Sequence, residues 1–350
     1  MQEEKSRQGS AIELDRNLTD YEKREGLKSR LLEEEALRRG YSVTRLSFDT
    51  TLVTMGGKEL LFKDMNGPLS SASLNTVVDD KQLTRSFLKE AKLTVPASTY
   101  LPISQTEQFV GFAESFGYPV VLKPNNLARG QGVFMNLSDE QELRQSLEKI
   151  EAIVGDRSTP ILIEKHFTGE DFRFVIVDSE VIAVSKRARA NVVGDGKQTI
   201  LELIQHKNSL RAKDRDLRNF PIPTDPSQLS RLSKNGLTMA SVPEENQKVI
   251  LRDESNIASG GEGIDFTYTV SEGFKQMAIR AVNAIPGLNY AGVDMIAEDI
   301  TAEPTSENHV VTEVEFSPGP VSMFPWEGEP IDMAGPVLAF YERNVDRIDL

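Results

Sequence analysis

The chain has 350 residues, of which 27% are charged and 39% hydrophobic, and a formal net charge of −14. That charge argues against nucleic acid and anionic membrane as partners, since both are bound through basic patches. There is no cysteine, and the three histidines (His166, His206, His309) form no H-x-x-x-H pair, which excludes disulfides, thiolate metal sites and a cysteine nucleophile and argues against a zinc hydrolase.

Residues 1–18 read as a loose polar lead without the apolar stretch of a signal peptide, and no segment approaches the roughly 20 apolar residues of a membrane helix. A cytoplasmic protein is expected, of two or three domains for this length. Residues 20–40 carry Leu27, Leu31, Leu32 and Leu37 at near-helical spacing and stop at Gly40. A strand at YSVTRLSF, a Gly-Gly turn and a strand at KELLFKDM complete a small α/β unit, 1–78. A helix follows over 79–92, with Asp79 or Asp80 as N-cap. Then come a helix over 104–117, a strand YPVVLKP, a glycine-rich turn NNLARGQGV and a helix over 138–152. PILIEKHF and DFRFVIVDSEVIAVSKRARA read as strands, the latter turning at Asp178-Ser179, and a helix covers 198–209. Residues 208–246, rich in Arg, Lys, Asp and Pro, read as an insertion. The chain continues with a strand KVILRD, a glycine-rich IASGGEGID, a helix over 271–285 and strands AGVDMIAE and VVTEVEF. Strands and helices mixed in this way predict an α/β chain of α+β layers, with unit boundaries near 79–158 and 159–350.

Four stretches carry candidate chemistry. In VVLKPNNLARGQGV a buried strand delivers Lys123, and Gly130 and Gly132 allow backbone N–H groups to turn toward a phosphate. A surface hairpin with a strand-end lysine fits the same residues. In ILIEKHFTGEDFRF an apolar strand ends in Glu164-Lys165, followed by Phe167 and Asp171. A strand edge of this kind offers its backbone to a purine and a carboxylate to ribose, and it is also how any strand and turn looks. In ILRDESNIASGGEGID, Arg252, Asn256 and Gly260-Gly261 suit an oxyanion or carboxylate, or form a plain loop with a surface arginine. In TEVEF, Glu313 and Glu315 are two apart on a strand and so share a face. With Asp294 on a neighbouring strand they form either a solvated face or an oxygen-rich site for Mg²⁺ or Mn²⁺.

The order of these stretches, together with SLNTVVDDKQLTRSFLKEAKLTVPAS, ANVVGDGKQTILELIQHKN, NGLTMASVP and MFPWEG, resembles the ATP-grasp superfamily. It is most similar to the glutathione-synthetase-like module of bifunctional glutamate–cysteine ligase/glutathione synthetases, and next to the cyanophycin synthetases. The likeness runs from about residue 27 to 345. It implies two α+β subdomains that clasp ATP, preceded by a small α/β N-terminal domain. It implies that Lys81 and Lys123 contact the nucleotide phosphates, under a loop from Arg129 through Gly130 to Gly132. Glu164 and the backbones of Lys165 and Phe167 would hold adenine, and Asp171 ribose. Arg187 and Arg252 would serve the reaction centre, Asn256, Gly260 and Gly261 would face the carboxylate substrate, and Asp294 and Glu313 would be metal ligands.

Three departures qualify the likeness. Glu315 stands where the family pattern has asparagine, and as a carboxylate it adds a third candidate metal ligand. The upstream ligase module is expected to be absent. SPGPVSMFPWEGEP differs from the N-P-M-M-H-M form of the glutathione branch, which affects the substrate more than the nucleotide. The implied activity is an ATP- and Mg²⁺-dependent ligase (Mn²⁺ being the other metal) that joins a small-molecule carboxylate and amine through an acyl phosphate. Glutathione synthetase is the alternative for substrate, and a nucleotide-binding regulatory protein without ligase activity is the alternative of another class. A homodimer is an open expectation, common in the superfamily.

Overall fold

The computed structural model of the protein describes residues 20–124, 132–225 and 229–348. Helix α1 (Asp20–Arg38) leads into an antiparallel sheet of β1 (Ser42–Arg45), β2 (Thr50–Met55) and β3 (Lys58–Lys63). Gly56 and Gly57 both have positive φ and form the two-residue β2–β3 turn, a geometry that glycine enters without a Cβ penalty. In β2 the side chains of Thr51, Val53 and Met55 alternate inward, so this unit has a strand more than expected. Helices α2 (Ala72–Asp79) and α3 (Lys81–Glu90) are parted by Asp80 alone. Asp80 is the cap of α3: its carboxylate accepts from the amides of Gln82 (2.9 Å) and Leu83 (3.1 Å).

Strand β4 (Ser98–Pro102), helix α4 (Thr106–Phe116), strands β5 (Val120–Pro124) and β6 (Phe134–Leu137), helix α5 (Glu140–Val154) and strand β7 (Pro160–Lys165) build a four-stranded sheet in the order β4-β7-β5-β6. Phe109, Leu143, Leu147 and Ile150 of its two helices pack on Val120, Leu122, Ile161 and Ile163. The chain then forms the hairpin β8 (Glu170–Val177) and β9 (Glu180–Ala188), turning at Asp178 and Ser179 with φ of 50° and 62°.

The stretch expected as an insertion, 208–246, is part of a longer unit that spans 191–250. Strand β10 (Asn191–Val193) pairs with β11 (Lys248–Ile250), and helices α6 (Ile200–Arg211) and α7 (Ser230–Lys234) lie between them in sequence. Val192, Ile200, Ile204, Leu232 and Val249 form its separate core. Strand β12 (Glu262–Asp265), helix α8 (Glu272–Asn283) and strands β13 (Tyr290–Ala297) and β14 (His309–Glu315) complete an antiparallel sheet ordered β12-β9-β8-β13-β14, and helix α9 (Ala334–Asn344) follows.

The two faces of this five-stranded sheet differ. One is mainly apolar: Phe172, Phe174, Ile176, Val293 and Met295 pack under Phe274, Ala278 and Val282 of α8, with the Lys186–Glu170 ion pair at its margin. The other is divided. Val175, Val177 and Tyr290 join Leu32 of α1, Phe62 of β3 and Leu338 and Tyr341 of α9 in a single core. The alternate positions farther along the same strands are Asp171, Arg173 and Asp294, which are charged. The core thus ends where the candidate site begins. Among the described residues no helix is long and apolar enough to cross a membrane.

Candidate active site

The charged end of the sheet is a row of facing side chains. Asp294 on β13 lies opposite Glu313 on β14 and opposite Arg173 on β8. Period-two alternation puts Glu315 on the same side as Glu313. Each carboxylate is met by a cation. Asp294 takes a two-pronged bond from Arg173, with Nη2–Oδ2 at 2.9 Å, and a bond from Arg187 Nη2 at 2.7 Å. Glu315 pairs with Arg173, and Glu313 with Lys81 at 2.8 Å. Arg187 also grips Asp171 (2.9 and 3.0 Å), which accepts from the Ser255 hydroxyl as well.

Burial alone pushes the Asp294 carboxyl up, but Arg173 and Arg187 outweigh it and hold the group below the usual carboxylate range. Glu315 goes the other way. Burial, helped by neighbouring Asp294 and Glu313, raises its carboxyl against the pull of Arg173. The three carboxylates share a face, but each is turned to a cation of the protein, and among the described residues no cluster of three or more His, Asp or Glu side chains is arranged to hold a metal ion.

Lys123 comes from the four-stranded sheet, whereas α3, which carries Lys81, packs through Leu88 into the core of the five-stranded sheet. Lys81 opens α3, and Lys123 lies on β5, where it binds Glu164 at 2.5 Å. Glu164 is 4% exposed and also pairs with Arg85 of α3, one helical turn after Lys81. Burial raises the Glu164 carboxyl, yet Lys123 and Arg85 overcome this and bring it down to about 2. Strand β7, expected as an edge, is an interior strand between β4 and β5. The amides of Lys165 and His166 are donated to Ala97 and Pro119, at 2.9 and 3.1 Å. Phe167 lies in the segment joining β7 to β8. Gly132, with φ of 68°, stands just before β6. Arg129 and Gly130 lie outside the described residues.

The glycine-rich loop before β12 is shaped from within. Asn256 caps a short turn through its side chain, which accepts from the Ala258 amide at 2.9 Å. The amides of Gly260 and Gly261 are donated to the carbonyls of Ile257 (3.0 Å) and Asn256 (3.1 Å). A Cβ on Gly261 would stand 2.8–2.9 Å from three backbone oxygens, those of Asn256, Ala188 and Ser255. Gly261→Ala is therefore expected to displace the loop and to destabilise the fold by about 1–3 kcal/mol; an unchanged melting temperature would show that the loop yields freely. Arg252 precedes this loop and pairs with Glu254.

The structure thus brings together Lys81, Asp171, Arg187, Asp294, Glu313 and Glu315, and joins Lys123 to Glu164. The sequence reading missed Arg85, Arg173 and Ser255. For Arg173 a signal was present. Asp171 and Arg173 are two polar residues with i, i+2 spacing in an apolar strand, the same pattern that marks Glu313 and Glu315.

Residues 79–198 match the family model described as the ATP-grasp (A) domain of phosphoribosylglycinamide synthetase. The glutathione biosynthesis bifunctional protein of Clostridium perfringens is 29% identical over 326 residues, covering 89% of this chain and 40% of that protein. The cyanophycin synthetase of Geminocystis herdmanii is 32% identical over 276 residues, 77% of this chain and 31% of that protein. The chain thus spans about two fifths or less of the length of these relatives. The crystal structure of a bifunctional glutathione synthetase from Pasteurella multocida superposes with a TM-score of 0.67 at 25% identity, covering 91% of this chain and 43% of that one.

Proposed function

The chain belongs to the ATP-grasp superfamily, and from that premise we propose that it is an ATP-dependent carboxylate–amine ligase acting on amino acids or small peptides. The observation that carries the reading is the Lys81–Glu313 ion pair. It sets a cation of α3, suited to phosphates, against a carboxylate of β14, suited to Mg²⁺ or Mn²⁺, while Arg85 of the same helix reaches Glu164 and so ties α3 to Lys123 of the four-stranded sheet. We assign 79–158 and 159–350 as the halves that close on the nucleotide, with 1–78 as the N-terminal unit.

In this reading Lys81 and Lys123 hold the nucleotide phosphates, with Arg129, Gly130 and Gly132 in the loop over them. Glu164, Lys165 and Phe167 line the adenine side, and Asp171 takes the ribose. Asp294, Glu313 and Glu315 would hold the metal, which when bound offsets charge on the phosphates. The γ-phosphoryl group passes to a substrate carboxylate oxygen as ADP leaves. The amine nitrogen then attacks the acyl carbon, and phosphate departs with the electron pair of the C–O bond while the amine gives up a proton. Arg187 and Arg252 stabilise charge on the transferring oxygens, and Asn256, Gly260 and Gly261 shape the pocket for the carboxylate substrate. Such chemistry belongs in the cytoplasm with small-molecule partners; light scattering would test for a homodimer.

The test is ADP release and amide formation with ATP, Mg²⁺ and a pool of amino-acid pairs. The pool includes γ-glutamylcysteine with glycine, because relatives are named for glutathione biosynthesis. Arg252→Met is expected to bind ATP nearly normally and to lose on the order of 10²–10³ in ligation rate. Nucleotide binding with no amide from any pair in wild type would favour a regulatory protein. Equal rates in wild type and variant would remove Arg252 from the reaction centre.

A further inference from the structure

Arg85 takes no role in the reading above, yet it is as deeply buried as Glu164, the carboxylate it meets; each is 4% exposed. Two cations share that carboxylate, Lys123 of β5 at Oε1 and Arg85 of α3 at Oε2. Arg85 commits only Nη2 to it, and its Nε and Nη1 are buried with no hydrogen-bond partner among the described residues. A guanidinium binds a carboxylate most strongly through two nitrogens of one edge, and Nη2 shares one edge with Nε and another with Nη1. Arg85 thus holds a second donor beside the one in use, while Lys123 occupies the oxygen that would receive it. Lys123 and Arg85 are also what keep this buried carboxylate ionised. Of the other groups around it, Lys165 turns its ammonium to the carbonyls of Gly117 and Tyr118, 2.9 Å from each, and Lys81 is paired with Glu313. Burial pushes the Tyr100 hydroxyl of β4 up, and burial, then Arg189, push the His166 ring down, so both are neutral at pH 7.

We propose that Arg85 is a positioning residue that releases Lys123: it takes over both oxygens of Glu164 with its second donor, so that the Lys123 ammonium can turn to an incoming anion. The inference rests on the ligase reading, which gives Lys123 to the nucleotide phosphates, and adds how that ammonium comes free of its buried partner. In the exchange Glu164 stays ionised, one ammonium leaves it, one guanidinium remains, and no proton moves. Without Arg85, Glu164 would be left buried and uncompensated when Lys123 departs. The carboxylate then has to take up a proton for Lys123 to leave, and the nucleotide is held less tightly by the cost of that protonation.

The experiment is calorimetric titration of the full chain with ATP at pH 7 in two buffers of different ionisation enthalpy, with the melting temperature of every variant measured alongside. The difference in heat between the buffers counts protons, and comparison with wild type cancels those of the nucleotide itself. Arg85→Met is expected to take up about one proton more than wild type and to bind ATP about 10–100-fold more weakly, the cost at pH 7 of protonating a carboxyl of pKa about 5–6. In a Glu164→Gln background, where there is no charge to compensate, the same change is expected to add no proton and to cost no affinity. Arg85→Lys keeps the charge without the two-donor edge and is expected to weaken ATP at the wild-type proton count. If Arg85→Met fails to fold, Arg85→Lys carries the test, and ATP binding as tight as in wild type then overturns the exchange. Arg85→Met binding ATP as wild type does, or binding it more weakly at the wild-type proton count, as a merely structural role would give, overturns it as well. A wild type that binds no ATP overturns the nucleotide site of the ligase reading and the exchange with it.

Discussion

Asp294→Asn is expected to abolish ligation and to loosen the fold, whereas Glu313→Gln abolishes ligation and leaves the fold as it was. The two carboxylates face each other across β13 and β14, but their surroundings differ. Asp294 is 2% exposed and compensates two arginines. An amide in its place leaves buried positive charge unmatched, and breaking a buried pair from one side costs about 3–5 kcal/mol. The side chain of Glu313 is 39% exposed and gives up a single contact, with Lys81; water takes over both groups at little cost. Thermal melts and ADP release on the same preparations check this. Equal losses of melting temperature in the two variants would show that Asp294 is not the structural anchor described. Wild-type turnover in Glu313→Gln would return the E-x-E strand to a solvated face.

Glu164→Gln should be destabilising by a similar amount, and its effect should fade in acid. In the folded protein burial raises the Glu164 carboxyl, but Lys123 and Arg85 prevail and hold it near 2, against an ordinary glutamate value of 4.5. The sign follows from which state binds the proton more tightly. A depressed folded value means that the unfolded chain protonates first on acidification. The stabilisation is therefore fully present above pH 4.5 and is lost as the pH falls from there toward 2. A shift of this size corresponds to about 3 kcal/mol. Denaturant midpoints of wild type and Glu164→Gln, measured from pH 7 down to pH 3, should converge. A constant gap would mean that the glutamate acts through packing rather than charge. The same variant frees Lys123, so ATP affinity is expected to change with it.

The parts of this molecule that follow local rules were legible in its sequence. Helix α4 was expected over 104–117 and spans Thr106–Phe116, and the turn at Asp178-Ser179 falls as read. Local signals also failed where they were thin. Helix α2 buries only Leu74 and Val78 of its own residues, so its period was not apparent. Strand β2 is half threonine, and its alternation went unread beside two plainer strands. Helix α9 carries Gly335-Pro336 in its first turn, a pair that reads as a break although proline is tolerated there. At the site the candidate carboxylates and lysines could be named, but their pairing could not. Arg173 and Asp294 are 121 residues apart, and which cation meets which carboxylate is decided by strand order. Strand order was likewise hidden for β7, whose apolar run suits an edge and a centre equally.

The core beneath α9 has a consequence for synthesis. Leu32 and Phe62 leave the ribosome long before the residues that cover them, and the bond from Gly67 to Tyr341 spans 274 positions. At elongation speeds of about 5–20 residues per second that is a wait of roughly 14–55 s. Throughout it, the faces of α1 and β3 that Leu338, Phe340 and Tyr341 later close are open to solvent or to a chaperone. The four-stranded sheet, whose core lies within residues 103–163, has no such delay. The nascent chain should therefore complete its middle before its beginning, and the opening α/β unit should be the last part of the protein to become resistant to proteases.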